Sequence, residues 1–497
     1  MASRPVLNHD ILLEVTAAAC WDYAAALLDT CRFIHYEGHK ALLRQTVYLD
    51  SPATLLDFLA FLRYGLDDAR HSSVRDLYLA LERSRMMKQA SPQLLLSLPL
   101  MHNLASLSIS ESEFVFDDDF GLCGAFAALT SLRELHLPAA GERTVQFLQA
   151  SQSTFVTVNI SFPPEYDEDG FFDECITPMD AWPQYHPAVL LANSRLTLRD
   201  LECERWYTHP EIMPDPGIVY PEMRRLRMAS ASMPLTLPFV RAYPNLSYLS
   251  IHTGESDDGH CYASDIQGYA DHRRKNMLAQ APLGCSWAEL GEYSGSLVDF
   301  YLLGLVCPVG RVELRALHRN HRYMLGPALS CARPRRLVLH GWPGLLESPP
   351  DVFAALQGEA GSRLEHLSLD ARLDGKDRDV DVSIILEGLM SSLAHAPLRS
   401  LEVTIFLPHK HRQNQYMTSD ELFALEMAQE DDDFEEDDVE EDDAEEDVPN
   451  PSSPSPGPTH PSLPSAERSG DEFDIDDYVR RFRALVPTLE KAVVRLI

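Results

Sequence analysis

A six-residue phrase, apolar-x-x-apolar-x-apolar, recurs along this chain, and no other feature restricts its fold as much. It reads VRDLYL (74–79), LASLSI (104–109), LRELHL (132–137), FVTVNI (155–160), LRDLEC (198–203) and MRRLRM (223–228). It continues as LSYLSI (246–251), GRVEL (310–314), RRLVL (335–339), LEHLSL (364–369) and LRSLEV (398–403), with a last copy in LEKAVV (489–494). The first seven copies start 30, 28, 23, 43, 25 and 23 residues apart. The last three residues alternate in-out-in, as a strand with one buried face requires. Helix-like stretches lie between copies: SPQLLLSLPLM (91–101), LCGAFAAL (122–129), TVQFLQAS (144–151) and DVFAALQ (351–357). A crossover helix returns the chain in the same direction, so neighbouring strands are expected to be parallel. One unit alone exposes its apolar edge, and stacking closes a continuous core. Residues 287–307 fit poorly, because LVDFYL (297–302) starts only 13 residues before GRVEL. Only one of the two can be a full repeat; the other is expected to be helix.

A period near 25 is that of leucine-rich repeats. The expected fold class is therefore α/β, a leucine-rich-repeat solenoid over 46–408 with parallel strands lining a curved sheet and helices outside. A doubly wound sheet also alternates strands and helices. Its strands would be near-continuous Val/Ile/Leu runs, with a glycine-rich turn that this chain lacks.

The first 45 residues do not follow the repeat. Leu7, Ile11, Leu12 and Val15 share a face at helical spacing, with Asn8 and Asp10 as available caps. Second and third helices are expected over ~22–31 and ~34–45, and TVYL (46–49) reads as the first strand. VLNHDILLEV followed by ALLDTCRFIHYEG resembles an F-box, the helical module that docks on the Skp adaptor of cullin ubiquitin ligases. The whole chain resembles the F-box and leucine-rich-repeat-like proteins abundant in mushroom-forming fungi. Leu7, Ile11, Leu12 and Val15 match the family's first apolar cluster; Leu27, Leu28, Cys31 and Arg32 match its second, with Phe33 beside the position often held by tryptophan. The family's Leu-Pro opening is Leu7-Asn8 here, and its usual Glu is Asp10. The resemblance implies docking on an Skp-type adaptor and cullin ligase. Without it, the same helices would be a cap shielding the first repeat. Docking would leave several of these apolar residues exposed, whereas a cap would bury them.

Charge sets the next boundary. The chain has 497 residues and a formal net charge of −34, and fifteen acids crowd the eighteen positions 430–447. Residues 449–464 hold seven prolines in sixteen. An acidic, then Pro/Ser-rich disordered insertion over 409–470 is expected, followed by a helix and terminal repeat strand in 471–497. Without the acidic run the charge is still −19, which disfavours nucleic acid and anionic membrane as partners. The run is expected to be a solubilising segment; the alternative is that it competes for the basic stretches RRLR (224–227), HRRK (272–275) and RPRR (333–336) and masks the array. Nine scattered cysteines without a Cys-x-x-Cys, and an amino terminus without a signal-peptide core, point to an intracellular protein of cytoplasm or nucleus.

Catalytic, cofactor and metal patterns are not found: neither a phosphate loop nor GxGxxG, HExxH or GxSxG occurs. EYDEDG (165–170) imitates the start of a calcium loop but has Ile176 where a bidentate Glu is needed. His318 and His321 have no matching carboxylate or thiol. A noncatalytic binding protein is therefore expected, with an unidentified protein client on the concave strand face. That face carries Asp76, Tyr78, Glu134, His136, Asp200 and Glu202, turns basic at Arg225 and Arg227, and continues through Tyr248, Arg311, Glu313 and Arg336. Taken with the resemblance, this is the profile of a substrate receptor of an Skp-cullin-F-box ligase. The alternative is a repeat scaffold with no ligase role.

Overall fold

The computed structural model describes residues 8–19, 21–28, 30–63, 70–81, 86–116, 121–162, 186–204, 217–229, 234–252, 266–282, 284–315, 319–340, 356, 361–372, 382–394, 396–406 and 474–497. Three helices open the chain: α1 (His9–Ala18), α2 (Trp21–Leu28) and α3 (Arg32–Leu42). Asn8 caps α1, its side chain accepting from the Asp10 N–H at 3.2 Å. Ala24, Ile34 and Leu42 are buried among these helices and lie outside the contiguous core of the repeats, which begins at Leu43. Gln45 joins the two parts: its Nε2 donates to the carbonyls of Thr16, Ala17 and Ala19 at the end of α1.

Fourteen parallel strands then form one sheet whose spatial order is the chain order. They are β1 (Thr46–Leu49), β2 (Asp76–Leu79), β3 (Ser106–Ile109), β4 (Glu134–Leu137), β5 (Thr157–Ser161), β6 (Asp200–Glu204) and β7 (Arg225–Ala229). The second half is β8 (Tyr248–His252), β9 (Leu290–Ser296), β10 (Val309–Arg315), β11 (Arg336–His340), β12 (His366–Arg372), β13 (Ser400–Phe406) and β14 (Lys491–Leu496). Helices of the crossovers are α4 (Pro52–Arg63), α5 (Met87–Ser97), α6 (Ser112–Val115), α7 (Leu122–Ala127), α8 (Glu142–Ala150), α9 (Pro187–Leu190) and α10 (Thr236–Ala242). They continue as α11 (Ile266–Gln280), α12 (Leu297–Leu303), α13 (Leu325–Ala332), α14 (Val382–Leu393) and α15 (Ile475–Leu485). The architecture is an α/β repeat solenoid. No helix among the described residues is long and apolar enough to cross a membrane.

The register stacks the phrase upon itself. Its fourth residues form a column, Leu77, Leu107, Leu135, Val158, Leu201, Leu226 and Leu249, and its sixth residues form a second, Leu79, Ile109, Leu137, Ile160, Cys203, Met228 and Ile251. All of these are buried in one core that runs through every strand. Burying such a side chain contributes about 1.5–3 kcal/mol, so the columns are the main adhesive between turns. Turn side chains add a second tie: Asn103 donates to the Ser72 carbonyl, Asn193 to Ser151, and Asn245 to Pro221.

The poorly fitting region resolves around a strand that the pattern did not give. LVDFYL is helix α12 and GRVEL lies in β10, but a further strand, β9, precedes them both. Its phrase is Leu290-x-x-Tyr293-x-Gly295, and Tyr293 takes the column position between Leu249 and Val312. Gly295 stands in the second column because nothing larger fits: a Cβ there would lie 2.2 Å from the Ile251 carbonyl oxygen and 2.6 Å from the Tyr293 hydroxyl.

HRRK (272–275) also requires correction. It lies on α11, where His272 and Arg273 are buried, so only Arg274 and Lys275 are on the surface, and Arg274 is already paired with Asp271. The buried side of α11 is polar because it caps α12. Arg273 donates to the Tyr301 carbonyl at 2.8 Å, Asn276 to Leu302 at 2.8 Å, and Gln280 to Leu303 and Gly304. These are carbonyls of the last turn and cap of α12, where a helix runs out of intrahelical donors; Tyr301 also accepts from the Gly304 N–H at 3.1 Å. Asn276 also accepts from the Thr236 N–H and donates to the Pro234 carbonyl, tying in the start of α10.

The insertion expected over 409–470, the EYDEDG loop, His318 and Leu7 lie outside the described residues. Asp474 caps α15 by accepting from the Asp477 N–H at 2.9 Å, and β14 closes the sheet on β13.

Candidate functional site

Alternation along each strand turns the third and fifth phrase positions away from the core, so one sheet face is polar. In the first register row lie Thr46, Asp76, Ser106, Glu134, Thr157, Asp200, Arg225, Tyr248, Glu292, Arg311 and Arg336. The second row carries Tyr48, Tyr78, Ser108, His136, Asn159, Glu202, Arg227, Ser250, Ser294 and Glu313. All twelve residues expected on the binding face therefore share it. Charge is segregated as the sequence implied: outward positions from β1 to β6 hold five acids (Asp76, Glu134, Asp200, Glu202, Glu204) and no Lys or Arg.

Many of these charges are already engaged with one another. Arg227 donates to Glu202 at 3.0 Å and lies over the Tyr248 ring, 5.6 Å from its centroid; Arg225 lies 3.8 Å from Asp200. These pairs are half exposed, where a salt bridge contributes about 0–1 kcal/mol, so a ligand can exchange them at low cost. Farther along, Arg311 bridges Glu292 and Glu313, Arg315 donates to Glu313, and His340 reaches Glu313 and Asp370. Burial pushes the Glu313 carboxyl up, but Arg315, Arg311 and His340 outweigh it and hold it below its ordinary range. At the other end, Tyr48 and Tyr78 stack with centroids 4.7 Å apart, and the Thr46 hydroxyl donates to Asp76 at 2.7 Å.

A groove of about 400 Å³ crosses this face from β4 to β10. His136, Asn159, Glu202, Arg227 and Tyr248 form one side, and Ser161, Glu204, His252 and Arg315 the other. Ser161 donates to Glu204 at 2.9 Å. Desolvation lowers the pKa of both histidines. Glu202 opposes it at His136; at His252, Arg315 reinforces it and Glu313 opposes it. Near pH 7 both rings are therefore neutral, each with one donor and one acceptor nitrogen. Among the described residues neither ring makes a hydrogen bond to protein, so both remain available to a ligand. Such a groove suits a polypeptide: hydrogen-bonding groups, exchangeable ion pairs and one aromatic ring along about six strand spacings, near 29 Å.

The sequence pattern missed the second side of the groove. The phrase ends at its sixth position, whereas β5 to β13 run on, and their next outward residues are Ser161, Glu204, Ala229, His252, Ser296, Arg315, His340, Asp370 and Thr404. Extending the alternation by one outward residue would have found them. Among the described residues no group of three or more His, Cys, Asp or Glu side chains is placed to hold a metal ion.

The other expected site lies on the amino-terminal helices. Ile11 and Val15 are 51% and 47% exposed, one turn apart on α1, and Tyr23 on α2 is 73% exposed. Leu12, Leu27 and Leu28 are half-buried, and Cys31 and Arg32 are exposed. His9 stacks on Phe33 at 4.2 Å between centroids. No protein-family model matches this chain, and neither does any curated protein.

Proposed function

We propose that this chain is a noncatalytic adaptor, a substrate receptor of an Skp-cullin-F-box ubiquitin ligase. In this reading α1–α3 are an F-box-like module that docks on the Skp adaptor, and a leucine-rich-repeat array holds a protein client on its polar face. The observation that carries it is the pairing of a separate small core with an exposed apolar surface. Ala24, Ile34 and Leu42 are buried among the helices apart from the repeat core, while Ile11, Val15 and Tyr23 face solvent. A cap would spend those side chains on covering the first turn; a docking module keeps them for a partner.

The competing reading is a scaffold whose amino-terminal helices only cover β1, and the Gln45 bonds to α1 favour it. A pull-down with the Skp adaptor separates the two. Wild type is expected to bind, and Ile11→Asp with Val15→Asp is expected to abolish binding without moving the melting temperature. Failure of wild type to bind the adaptor would leave the scaffold reading standing.

A further inference from the structure

One feature of the sheet lies off its polar face. The second residue of the phrase sits where each strand begins, and its carbonyl accepts two successive N–H groups of the next turn, as Arg75 does from Ala105 and Ser106. That position holds Arg75, Arg133, Arg199, Arg224, Arg335 and Arg399, immediately before β2, β4, β6, β7, β11 and β13. All six are exposed. Arg133 and Arg224 show how the side chains lie, each reaching over the following turn to an equivalent carbonyl, Thr154 at 3.1 Å and Asn245 at 3.0 Å. Neither contact neutralises charge. Among the described residues none of the six is ion-paired, although Glu365 and Glu490 share the row and line a 700 Å³ pocket with Arg335, Arg363 and Arg399. In a chain with 76 acidic side chains against 42 basic ones, a row of unpaired arginines points to an anionic occupant.

We infer that this arginine row is a docking surface for the chain's own acidic run, residues 430–447, laid along the edge where the strands begin. Dimensions and charge both fit. From β2 to β13 the row covers eleven strand spacings, about 53 Å, and eighteen residues in extended form cover about 60 Å. The run carries fifteen carboxylates and no basic residue, so each guanidinium meets a carboxylate in any register. The 23 residues 407–429 link it to the end of β13, with a contour length of about 75 Å. That is ample to return along a seven-residue strand of about 23 Å. Nucleic acid would be the other polyanion, but the whole-molecule charge of −34 opposes it. The surface differs from the polar face, so it leaves the groove open while the run is docked.

The test uses the full chain beside a variant in which the fifteen acids of 430–447 are changed to their amides. Phenylglyoxal modification, read by mass spectrometry, reports how accessible each arginine is. The six arginines are expected to react at least threefold faster in the amide variant at low salt, and equally in both proteins at 1 M salt. Arg63 and Arg480, away from the row, are the controls. In a second arm, a peptide of sequence 430–447 is titrated into the amide variant, with and without Arg75→Gln, Arg199→Gln, Arg335→Gln and Arg399→Gln. A rise of at least tenfold in Kd is expected in the substituted protein; the four replaced side chains make no hydrogen bond or ion pair among the described residues, and the backbone bonds at these positions are kept. Equal reactivity of the six arginines in both proteins would overturn the inference. So would unchanged peptide affinity, or an oligothymidylate that binds the amide variant more tightly than the peptide.

Discussion

Replacing Asn276 by leucine is the most exacting test of how the middle of the array is held. The side chain is 1% exposed and joins three elements: it accepts from the Thr236 N–H and donates to the carbonyls of Pro234 and Leu302. Leucine has the same branching, with bulkier methyl groups, but strips the Thr236 N–H and the Leu302 carbonyl of these partners; Pro234 keeps His272, 3.0 Å away. Each buried polar group left unmade costs about 1–3 kcal/mol, and burying the added apolar surface returns about 1 kcal/mol. Two such groups cost about 2–6 kcal/mol, so the net loss is about 1–5 kcal/mol, centred near 3. Stacked repeats open locally, so the assay is hydrogen exchange read on peptides from 234–252, 266–282 and 290–304, with 76–109 as control. A loss of about 3 kcal/mol speeds exchange about 30-fold or more in the first three and leaves the control unchanged. If Asn276→Leu stays within about 1 kcal/mol of wild type, the polar side of α11 is not what holds α12, and the capping argument fails.

Other expectations follow from the same geometry. Gly295→Ala places a methyl group 2.2 Å from the Ile251 carbonyl and is expected to cost about 2–4 kcal/mol in chemical denaturation; Gly124→Ala, with open space around it, is the control. Burial lowers His186 to about 4, so between that value and the unfolded value near 6.5 the unfolded chain binds a proton that the folded chain refuses. Its contribution is complete above pH 6.5 and is lost as pH falls toward 4. His186→Gln should therefore flatten the stability profile between pH 6.5 and 4.5 by about 2–3 kcal/mol in urea titrations at each pH. Arg227→Gln removes a half-exposed pair and should change stability by less than about 1 kcal/mol, while weakening any client that uses the groove. A stability loss above about 2 kcal/mol would make Arg227 structural.

Most of the fold was legible because one phrase carries two physical instructions: its fourth and sixth residues make the core columns, and its third and fifth make the face. Where those instructions are written in other residues, the pattern is silent. Tyr293 and Gly295 together fill the column space that two aliphatic side chains occupy elsewhere, so β9 lacks the expected alternation. Apart from Tyr269, the buried side of α11 is His272, Arg273, Asn276 and Gln280, and a helix that buries hydrogen-bonding groups looks like surface to any hydrophobic count. The binding face was legible where the phrase covered it. His252 and Arg315 fell one outward residue beyond its end, although the register places them beside His136 and Arg227 in one groove.

A sheet in which every strand bonds only its chain neighbours has a mechanical consequence. Tension between the two ends loads the ladders in series, so the weakest junction yields first and the array peels one turn at a time. A client lying across β4 to β10 would cross-stitch those turns, and the force needed to part them would then report occupancy of the groove directly.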